Sequence, residues 1–365
     1  MIKVPPTHIP GHNFRHLTAL ALRSLLACLI MLGPSSSQLS AQSGKKVETP
    51  PGNPTEAINQ SDEVLRIRTD EVLLPISIRD DAGLPVSGLG RERFIVFDNG
   101  VRQEIASFNR QRVPANIVLL LDASSSVFNQ MRFIREAATR FMEGLLPEDK
   151  VCVMQFADRV ELLAEWTSAA NLKQLEKAVT WRYHPGLRTT FFDGLYLAAE
   201  EQLSKVEGRR IVILLTDGLD TAERKKASFA DALNAVRRSE ASVYVVSLTA
   251  SMRAQLVERT GKTKLARLFS GYDKREVAHY LSMLDESEAL LNDLAVQTGG
   301  RIFLPVKDEE LAPAYRAIAD ELRMQYIITY QPKPRVTRGE YRRVRVLITG
   351  GEYEVGTRAG YMGRR

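Results

Sequence analysis

The feature that most constrains the fold is an uninterrupted apolar run that stops at a carboxylate. The segment Asn116-Ile-Val-Leu-Leu-Leu ends at Asp122, and hydroxyl groups follow at Ser124 and Ser126. A strand that is apolar on both faces is typical of the centre of a parallel sheet, and open α/β sheets bind their ligands at the carboxyl ends of such strands. The run therefore predicts a buried central strand with a polar site at its end.

A helix should follow this polar loop, because apolar residues recur there at spacings of three and four. They are Met131, Ile134, Ala138, Phe141 and Leu145. A second apolar strand, Ile211–Leu215, also ends in polar residues, at Thr216-Asp217-Gly218. A pair of threonines, Thr189 and Thr190, precedes another helical stretch over 192–203. Three loops can thus meet at one edge of the sheet.

The set Asp122-x-Ser124-x-Ser126, Thr189 and Asp217 resembles the metal-ion-dependent adhesion site (MIDAS) of von Willebrand factor type A (vWA) domains. Both acidic motifs stand at the ends of apolar strands, in the order of that family. The resemblance implies that the hydroxyls of Ser124 and Ser126 bind a metal directly. It also implies that Thr189 joins them in the ligand-competent state, while Asp122 and Asp217 act largely through water.

One departure from the family concerns the threonine. Many vWA domains have Gly-Gly-Thr where this chain has Gly186-Leu-Arg-Thr189, so Thr190 remains an alternative to Thr189. Arg188 places a cation near the expected metal. That cation would either weaken metal binding or help to hold an acidic ligand.

The residue types themselves indicate a hard cation. Hydroxyl and carboxylate oxygens suit Mg²⁺, with Mn²⁺ and Ca²⁺ as alternatives. The resemblance implies that the metal keeps an open position for an Asp or Glu carboxylate of a protein partner, which is binding and not catalysis. We therefore assign no catalytic residue and no organic cofactor.

Two other functions compete with this interpretation. One is a structural cell-envelope module whose metal site does not function. The other is an enzyme of the phosphohydrolase type, with Asp122 as nucleophile, but Ser124 stands where that class has its second acid.

The first 41 residues have the layout of a secretory signal. Lys3, Arg15 and Arg23 occur without any acid, then an apolar run over Leu25–Leu32 and a small, polar stretch over Pro34–Ala41. Cleavage is expected after Ala41, which predicts a secreted, periplasmic or cell-envelope protein. An uncleaved N-terminal anchor is the alternative.

Cleavage would also change the charge and the cysteine count. The formal net charge would fall from +6 to +3, which argues against a nucleic-acid partner. Only Cys152 would remain, so no intramolecular disulfide is expected, and this residue should be a small buried hydrophobe. No later stretch reaches the roughly eighteen apolar residues of a membrane helix, so we expect a soluble mature protein.

The rest of the chain divides by composition and periodicity. Residues 42–63 are predicted to be a flexible linker, and 64–111 a β segment containing a hairpin with its turn at Asn99-Gly100. This β segment is too short to bury a core alone. We expect it to pair with the strand-like C-terminal segment, 326–365, in a β-sandwich, with the vWA domain over 112–325 inserted between them. Two separate small appendages are the alternative.

Strands and helices are predicted to alternate within the inserted domain, which favours a doubly wound, Rossmann-like, mostly parallel α/β sheet. The strands are expected at 116–121, 151–156, 160–165, 211–215, 243–248 and 301–304, and the helices near 128–145, 170–179, 192–205, 226–238, 288–297 and 308–324.

The resemblance extends beyond this domain. The segments Asp81-Ala-Gly-Leu-Pro-Val, Leu291–Thr298 and Arg358-Ala-Gly-Tyr361 are similar to parts of the secreted bacterial vWA-related proteins.

Residues 250–284 form a long connection that should be a helical insertion, since apolar residues mark two short amphipathic helices separated by Gly271. It carries seven Lys or Arg against three Asp or Glu. Because it follows a parallel strand, it should emerge beside the metal site and favour acidic partners by electrostatic steering. Asp158 and Asp220 are interpreted as turn or cap residues, and His184 and His279 as surface residues.

Overall fold

The alternation of strands and helices in the middle of the chain, and the strands at both ends, are present in the structure. It is a computed structural model that describes residues 71–110, 113–222, 226–261 and 274–363. The strands are β1 (Val72–Arg79), β2 (Phe94–Asp98), β3 (Val101–Gln103), β4 (Ile105–Asn109), β5 (Ala115–Asp122), β6 (Lys150–Phe156), β7 (Val160–Ser168), β8 (Arg209–Thr216), β9 (Ser242–Ser247), β10 (Ile302–Phe303), β11 (Tyr326–Tyr330), β12 (Tyr341–Ile348), β13 (Glu354–Gly356) and β14 (Gly360–Met362).

Seven α-helices lie in the described part of the chain. They are α1 (Met131–Glu143), α2 (Leu172–Lys177), α3 (Phe191–Leu197), α4 (Phe229–Ser239), α5 (Thr249–Gly261), α6 (Lys274–Thr298) and α7 (Leu311–Arg323). A 3₁₀ turn over Ser125–Gln130 leads into α1, and π-helical turns extend α2 over Ala178–Arg182 and α3 over Ala198–Gln202.

The central sheet has six strands in the order β10-β9-β8-β5-β6-β7, and only β7 runs antiparallel to its neighbour. Strand β5 is buried on both faces. Ile117, Leu119 and Leu121 pack toward α1 and α7, whereas Val118 and Leu120 pack toward α3, α4 and part of α6. The predicted fold class, a doubly wound and mostly parallel α/β sheet, is confirmed.

One helix differs clearly from the sequence prediction. The helix expected over 288–297 is the second half of the 25-residue α6, which begins at Lys274. The second of the two short helices expected in the insertion is therefore the first half of the same α6. The buried positions Leu284, Ser287 and Leu291 follow one another at helical spacing, and the helix continues through them without a break. Gly271, the expected separator, lies outside the described residues.

The two ends of the chain build two further four-stranded antiparallel sheets, in the orders β13-β1-β11-β4 and β14-β12-β2-β3. Each sheet combines strands from both ends, and their inner faces share one apolar core that includes Ile76, Val96, Ile328 and Val346. The predicted β-sandwich-like domain built from the N- and C-terminal segments is therefore present.

The point of insertion lies between β4 and β11. These strands pair antiparallel, with Asn109 opposite Ile327, so the chain leaves the sandwich and returns to it side by side. The described strands β5–β10 and helices α1–α7 all lie between those two positions in the chain.

Two local features of the sandwich concern its backbone: the predicted hairpin turn and a proline within a strand. The hairpin joins β2 to β3, and Asn99 and Gly100 both have positive φ, at 45° and 81°, as the expected turn requires. Pro75 has no backbone N–H to donate to a neighbouring strand. It lies in the half of β1 that pairs with β11 alone, and its carbonyl accepts a hydrogen bond from Thr357 Oγ1 at 3.2 Å.

Buried polar groups connect the sandwich to the α/β domain. The guanidinium of Arg79 on β1 donates to Glu321 of α7 at 2.9 Å and to Glu354 at 2.8 Å. The hydroxyl of Tyr244 on β9 also donates to Glu321, at 3.1 Å, and accepts from Gln325 at 2.7 Å. The two domains are thus joined by a hydrogen-bonded ionic network.

Other predictions concern single residues or the chain ends. Cys152 is a free thiol within β6, and burial raises its pKa to about 12, which agrees with a small buried hydrophobe. No helix within the described ranges is long and apolar enough to cross a membrane. The expected signal (1–41), the linker (42–63) and the first strand residues, 64–70, lie outside the described residues and stay predictions.

Candidate metal centre

Three loops meet beyond the carboxyl ends of β5 and β8. The N–H of Gly186 donates to the carbonyl of Ala123 at 2.8 Å, and the hydroxyl of Ser125 donates to the carbonyl of Leu187 at 2.9 Å. The third loop joins them where the N–H of Thr221 donates to the carbonyl of Thr189 at 3.1 Å. The loops that carry the five predicted site residues are therefore in direct contact.

Asp122 is fully buried, and both of its carboxylate oxygens accept hydrogen bonds. Oδ1 accepts from the N–H of Ser124 at 2.9 Å, and Oδ2 accepts from the hydroxyl of Thr216 at 2.7 Å. The side chain thus fixes the turn that carries the serines and ties it to the end of β8. With both oxygens engaged in this way, its place is behind the surface of the site.

Asp217 is equally buried but less completely satisfied. One oxygen accepts from the N–H of Leu219 at 3.0 Å, whereas Oδ2 has no hydrogen-bond partner in the protein. The hydroxyl of Ser126 interacts with this carboxylate and lowers its pKa, although burial has the larger and opposite effect. A buried carboxylate oxygen without a partner is costly, so this atom marks a place where a cation or water is needed.

The hydroxyls of Ser124 and Ser126 lie side by side, with Oγ atoms 2.9 Å apart. Neighbouring oxygens of an octahedral Mg²⁺ shell, with Mg–O of about 2.0–2.1 Å, are separated by roughly the same distance. Ser124 is buried whereas Ser126 is exposed, so the pair reaches from the acids to the surface. These residues fit a hard divalent cation.

The structure treats the two threonines differently. The backbone of Thr189 is held by Thr221, whose hydroxyl accepts from its N–H at 2.9 Å. Thr190 precedes α3, and its hydroxyl is buried without a hydrogen-bond partner in the protein. Both side chains are nearly buried, so the choice between them stays a prediction.

Burial is the largest cause of the raised pKa values of the two acids. Burial removes water from both carboxylates, and the negative charge of Asp217 adds to the effect at Asp122, whose pKa rises to about 7. Burial likewise raises the pKa of Asp217. Two buried acids that disfavour each other's charge form a site that a divalent cation would stabilise.

The long helix α6 closes one side of the site. The hydroxyl of Ser287 donates to the carbonyl of Asp217 at 2.5 Å. Gly218 has φ +73°, and a Cβ there would come within 2.2 Å of Ser287 Oγ and 2.7 Å of Leu291. Only glycine allows the helix to approach this loop so closely.

Some residues that shape the site were missed from sequence. Thr216 was seen only as part of a motif, yet it bridges the two strand ends and also accepts from the N–H of Gly218 at 2.9 Å. Tyr183 is buried beneath the loop and donates to the carbonyl of Asp122. The register of β8 against β5, with Leu215 opposite Leu121, places Thr216 beside Asp122, and a sheet alignment could have found it.

The nearby acids have structural roles, as expected. Asp158 accepts from the N–H groups of Leu187 and Arg188 at 3.0 and 3.1 Å, which shapes the threonine loop. Asp220 accepts from the N–H of Phe192 at 3.0 Å, at the start of α3. Within the described ranges, no group of three or more His, Cys, Asp or Glu side chains could hold a metal, so a site rich in hydroxyls is the candidate.

The predicted basic insertion lies largely outside the described residues. Lys262, Lys264 and Arg267 lie outside the described residues, as does the side chain of Arg259. The described part of the insertion, α5 and the start of α6, does lie next to Ser126. Its Arg253 is paired with Asp285 and Glu288, at 2.6 and 3.3 Å.

Comparisons with known proteins identify a family match in the central part of the chain. A family model described as the von Willebrand factor type A domain matches residues 116–281. A comparison with curated protein sequences found no match.

Several solved structures are similar. A von Willebrand factor type A protein from Catenulispora acidiphila is 12% identical, with 80% of this chain and 73% of that one covered and a TM-score of 0.42. Proximal thread matrix protein 1 from the mussel byssus, with a zinc-occupied MIDAS motif, is 18% identical over 63% of this chain and about half (49%) of that one, with a TM-score of 0.41. The PilB minor pilin of Streptococcus sanguinis is 13% identical, covers 59% and 63%, and has a TM-score of 0.40.

Proposed function

We propose that this protein is a binding module that engages a protein partner through a divalent metal, in keeping with the match of residues 116–281 to the von Willebrand factor type A family model. The observation that carries the proposal is the pair of buried carboxylates, Asp122 and Asp217, beside two hydroxyls 2.9 Å apart. No cationic side chain of the described residues is hydrogen-bonded to either acid. A metal is the natural source of the missing positive charge.

The proposed ligands are the hydroxyls of Ser124 and Ser126 and that of Thr189, with Mg²⁺ as the preferred ion and Mn²⁺ or Ca²⁺ as alternatives. When bound, such a cation supplies an electrophilic position that accepts an Asp or Glu carboxylate from the partner. Asp122 would hold the serine turn in place through its two hydrogen bonds. Asp217, with its unpartnered oxygen, would balance the charge of the ion.

A binding role is favoured over the phosphohydrolase alternative by the surroundings of Asp122. A nucleophile needs an oxygen that can reach a substrate, but both oxygens of this carboxylate accept hydrogen bonds inside the protein. Burial also raises its pKa to about 7, which reduces the charged and nucleophilic form. We therefore propose that the protein is not an enzyme.

The location outside the cytoplasm is part of the same proposal. It rests on the basic, apolar and small-residue stretches of residues 1–41. N-terminal sequencing of the protein recovered from its native host should begin at Gln42. A mature protein that retains Met1 would contradict cleavage.

The direct test of the metal site is calorimetric titration of the full chain with Mn²⁺. The wild-type protein should bind one ion, whereas Ser124→Ala should bind none that can be measured. Ser125→Ala is the matched control, since that hydroxyl donates to the carbonyl of Leu187 and is not a proposed ligand.

Equal Mn²⁺ binding by Ser124→Ala and wild type would refute the assignment of the site. Absence of binding to wild type would favour the alternative of a structural envelope module with a non-functional site.

A further inference from the structure

A groove of about 490 Å³ lies beside the proposed metal site. Its walls come from the turn after β5, from α5 and from the start of α6, and they are mostly apolar, formed by Met252, Leu256, Val277, Tyr280 and Met283. A cavity of this size and lining is typical of sites that bind small apolar groups.

The groove and the metal site share a residue. Ser126, a proposed metal ligand, also lines the groove. Tyr280 lines the same groove, and its hydroxyl donates to the sulfur of Met252 at 3.6 Å. A ligand group on the metal would therefore have this groove as its neighbour.

The walls of the groove are held in place before any ligand binds. The hydroxyl of Thr249, at the start of α5, donates to Glu288 of α6 at 2.8 Å. Arg253 of α5 pairs with Glu288 and with Asp285 of α6, so one ionic cluster holds the two helices together. A preformed cavity binds with a lower entropic cost than one that must be assembled.

The polar groups of the groove set the orientation of an occupant. Glu276 lines the groove and is exposed, and His279 is exposed on the same helix. The charge of Arg253 is already neutralised by its two acids. An acidic group would thus be repelled near Glu276, whereas the Ser126 end of the groove adjoins the proposed metal site.

Two apolar side chains close in sequence to the proposed ligands are exposed. Phe128, two residues after Ser126, is 59% exposed, and Leu187, two residues before Thr189, is 80% exposed. Large apolar side chains so exposed beside a binding site are typical of protein interaction surfaces.

We propose that this groove, defined by Ser126, Met252, Leu256, Val277, Tyr280 and Met283, receives a large apolar side chain that neighbours the metal-bound carboxylate in the partner protein. The inference rests on the proposed metal-dependent function and adds specificity to it. The recognised element is a loop with Asp or Glu beside Leu, Ile, Met or Phe, and with no second acid on the groove side.

Selection from a peptide library tests this directly. A phage-displayed library with a fixed central Asp and randomised neighbours is panned on the immobilised full chain in Mg²⁺ and eluted with EDTA. Leu, Ile, Met and Phe should be enriched about tenfold or more at one neighbouring position, since burying such a side chain is strongly favourable. A second library with the central Asp replaced by Asn should yield no enrichment.

Matched variants locate the effect in the groove. Val277→Trp fills the groove and should abolish the apolar preference while the requirement for Asp and Mg²⁺ remains. Val296→Trp, on the same helix and 58% exposed away from the groove, should keep both. Met283→Gln serves as a second, more conservative variant and should reduce the apolar preference.

The outcomes separate the two proposals. Selection of Asp without any apolar neighbour, or an apolar preference unchanged in both groove variants, would overturn the groove and leave the metal site standing. If no EDTA-eluted peptide depends on Asp, the proposed metal-dependent binding fails, and the groove fails with it.

Discussion

Two clusters of buried acids in this molecule differ in whether the protein supplies a cation. In the sandwich, Asp98 is fully buried and accepts from the guanidinium of Arg342 at 2.6 Å, while the hydroxyls of Tyr330 and Tyr361 donate to its other oxygen at 3.0 and 2.8 Å. At the edge of the central sheet, Asp122 and Asp217 are buried together without such a partner among the described residues. One cluster is complete within the chain and the other is not.

Under the proposed function, this difference distinguishes a structural role from a binding role. The cluster around Asp98 joins four strands, β2, β11, β12 and β14, and thereby ties the N-terminal strands to the C-terminal ones. The pair of acids at the sheet edge gains nothing comparable from the protein and keeps a carboxylate oxygen without a partner. Folding tolerates such a cost where a ligand compensates for it.

The largest expected effect is on the free energy of unfolding when an aspartate of each cluster is replaced by asparagine, because the two clusters should respond differently. Asp98→Asn leaves Arg342 buried without its closest counter-charge and should lower the free energy of unfolding by about 3–5 kcal/mol. Asp217→Asn, measured in EDTA, should be neutral or stabilising because it removes one of two repelling charges. Urea unfolding of both variants checks this, and equal losses of stability would erase the distinction between the clusters.

Addition of metal should raise the stability of the protein, and this gain should depend on the Asp122/Asp217 cluster and not on the Asp98 cluster. Mg²⁺ at a hundredfold excess over its dissociation constant should add about 2.7 kcal/mol to the free energy of unfolding. Ser124→Ala and Asp217→Ala should lose this increment, and Asp98→Asn should keep it. Thermal unfolding with and without Mg²⁺ measures the increment, and its survival in both site variants would contradict the assigned ligands.

The two threonines should differ by a smaller amount. Thr189→Val should weaken metal binding about tenfold, or about 1.4 kcal/mol, by removing a proposed ligand. Thr190→Val should leave metal affinity unchanged and cost little stability, because its buried hydroxyl has no partner to lose. Calorimetric titration of both variants decides between them, and the reverse result would move the ligand to Thr190.

The smallest effect concerns pH in the absence of metal. Folding raises the pKa of both acids above the usual value of 3.8, to about 7 at Asp122, so the folded protein holds more protons than the unfolded chain between about pH 4 and 7. The stability contributed by these groups is thus present below pH 4 and is lost as pH rises through 7. In EDTA, the loss between pH 5 and 8 should be about 1 kcal/mol or more.

A comparison of stability curves at the two pH values gives this measurement. The double variant Asp122→Asn/Asp217→Asn is the control, and its stability should change less over the same interval. Mg²⁺ should oppose the loss, since it binds the ionised acids. The predicted proton uptake is contradicted if the free energy of unfolding of the wild-type protein in EDTA rises from pH 5 to 8. It is also contradicted if the double variant shows the same change as the wild type.

Much of the central domain could be predicted because its strands are marked by continuous apolar runs. The placement of Asp122 and Asp217 at one sheet edge followed from the same signal, since each acid stands where a run ends, whereas the ligand roles of Ser124, Ser126 and Thr189 came from the resemblance to the vWA family. The helix α6 was divided wrongly because its two halves were assigned to different segments, and they do pack into different cores, Leu284 into the one with α1 and Leu291 into the one with α3 and α4.

The remaining features depend on contacts between distant parts of the chain. Asp98 and Arg342 are 244 positions apart, and neither residue indicates its partner by local pattern. Thr216 and Tyr183 support Asp122 through strand register and loop packing, which local periodicity does not encode. The apolar groove was likewise hidden, because its walls belong to three separate segments.

The side-by-side arrangement of β4 and β11 has a mechanical consequence. A partner that pulled on the proposed metal site would apply tension to both chain crossings at once, because β4 ends where β11 begins, side by side in one sheet. The load therefore acts on them in the same direction and does not peel one from the other. The force would pass to the neighbouring strands of the sheet. The sandwich would therefore bear the force, while the α/β domain would hold the partner.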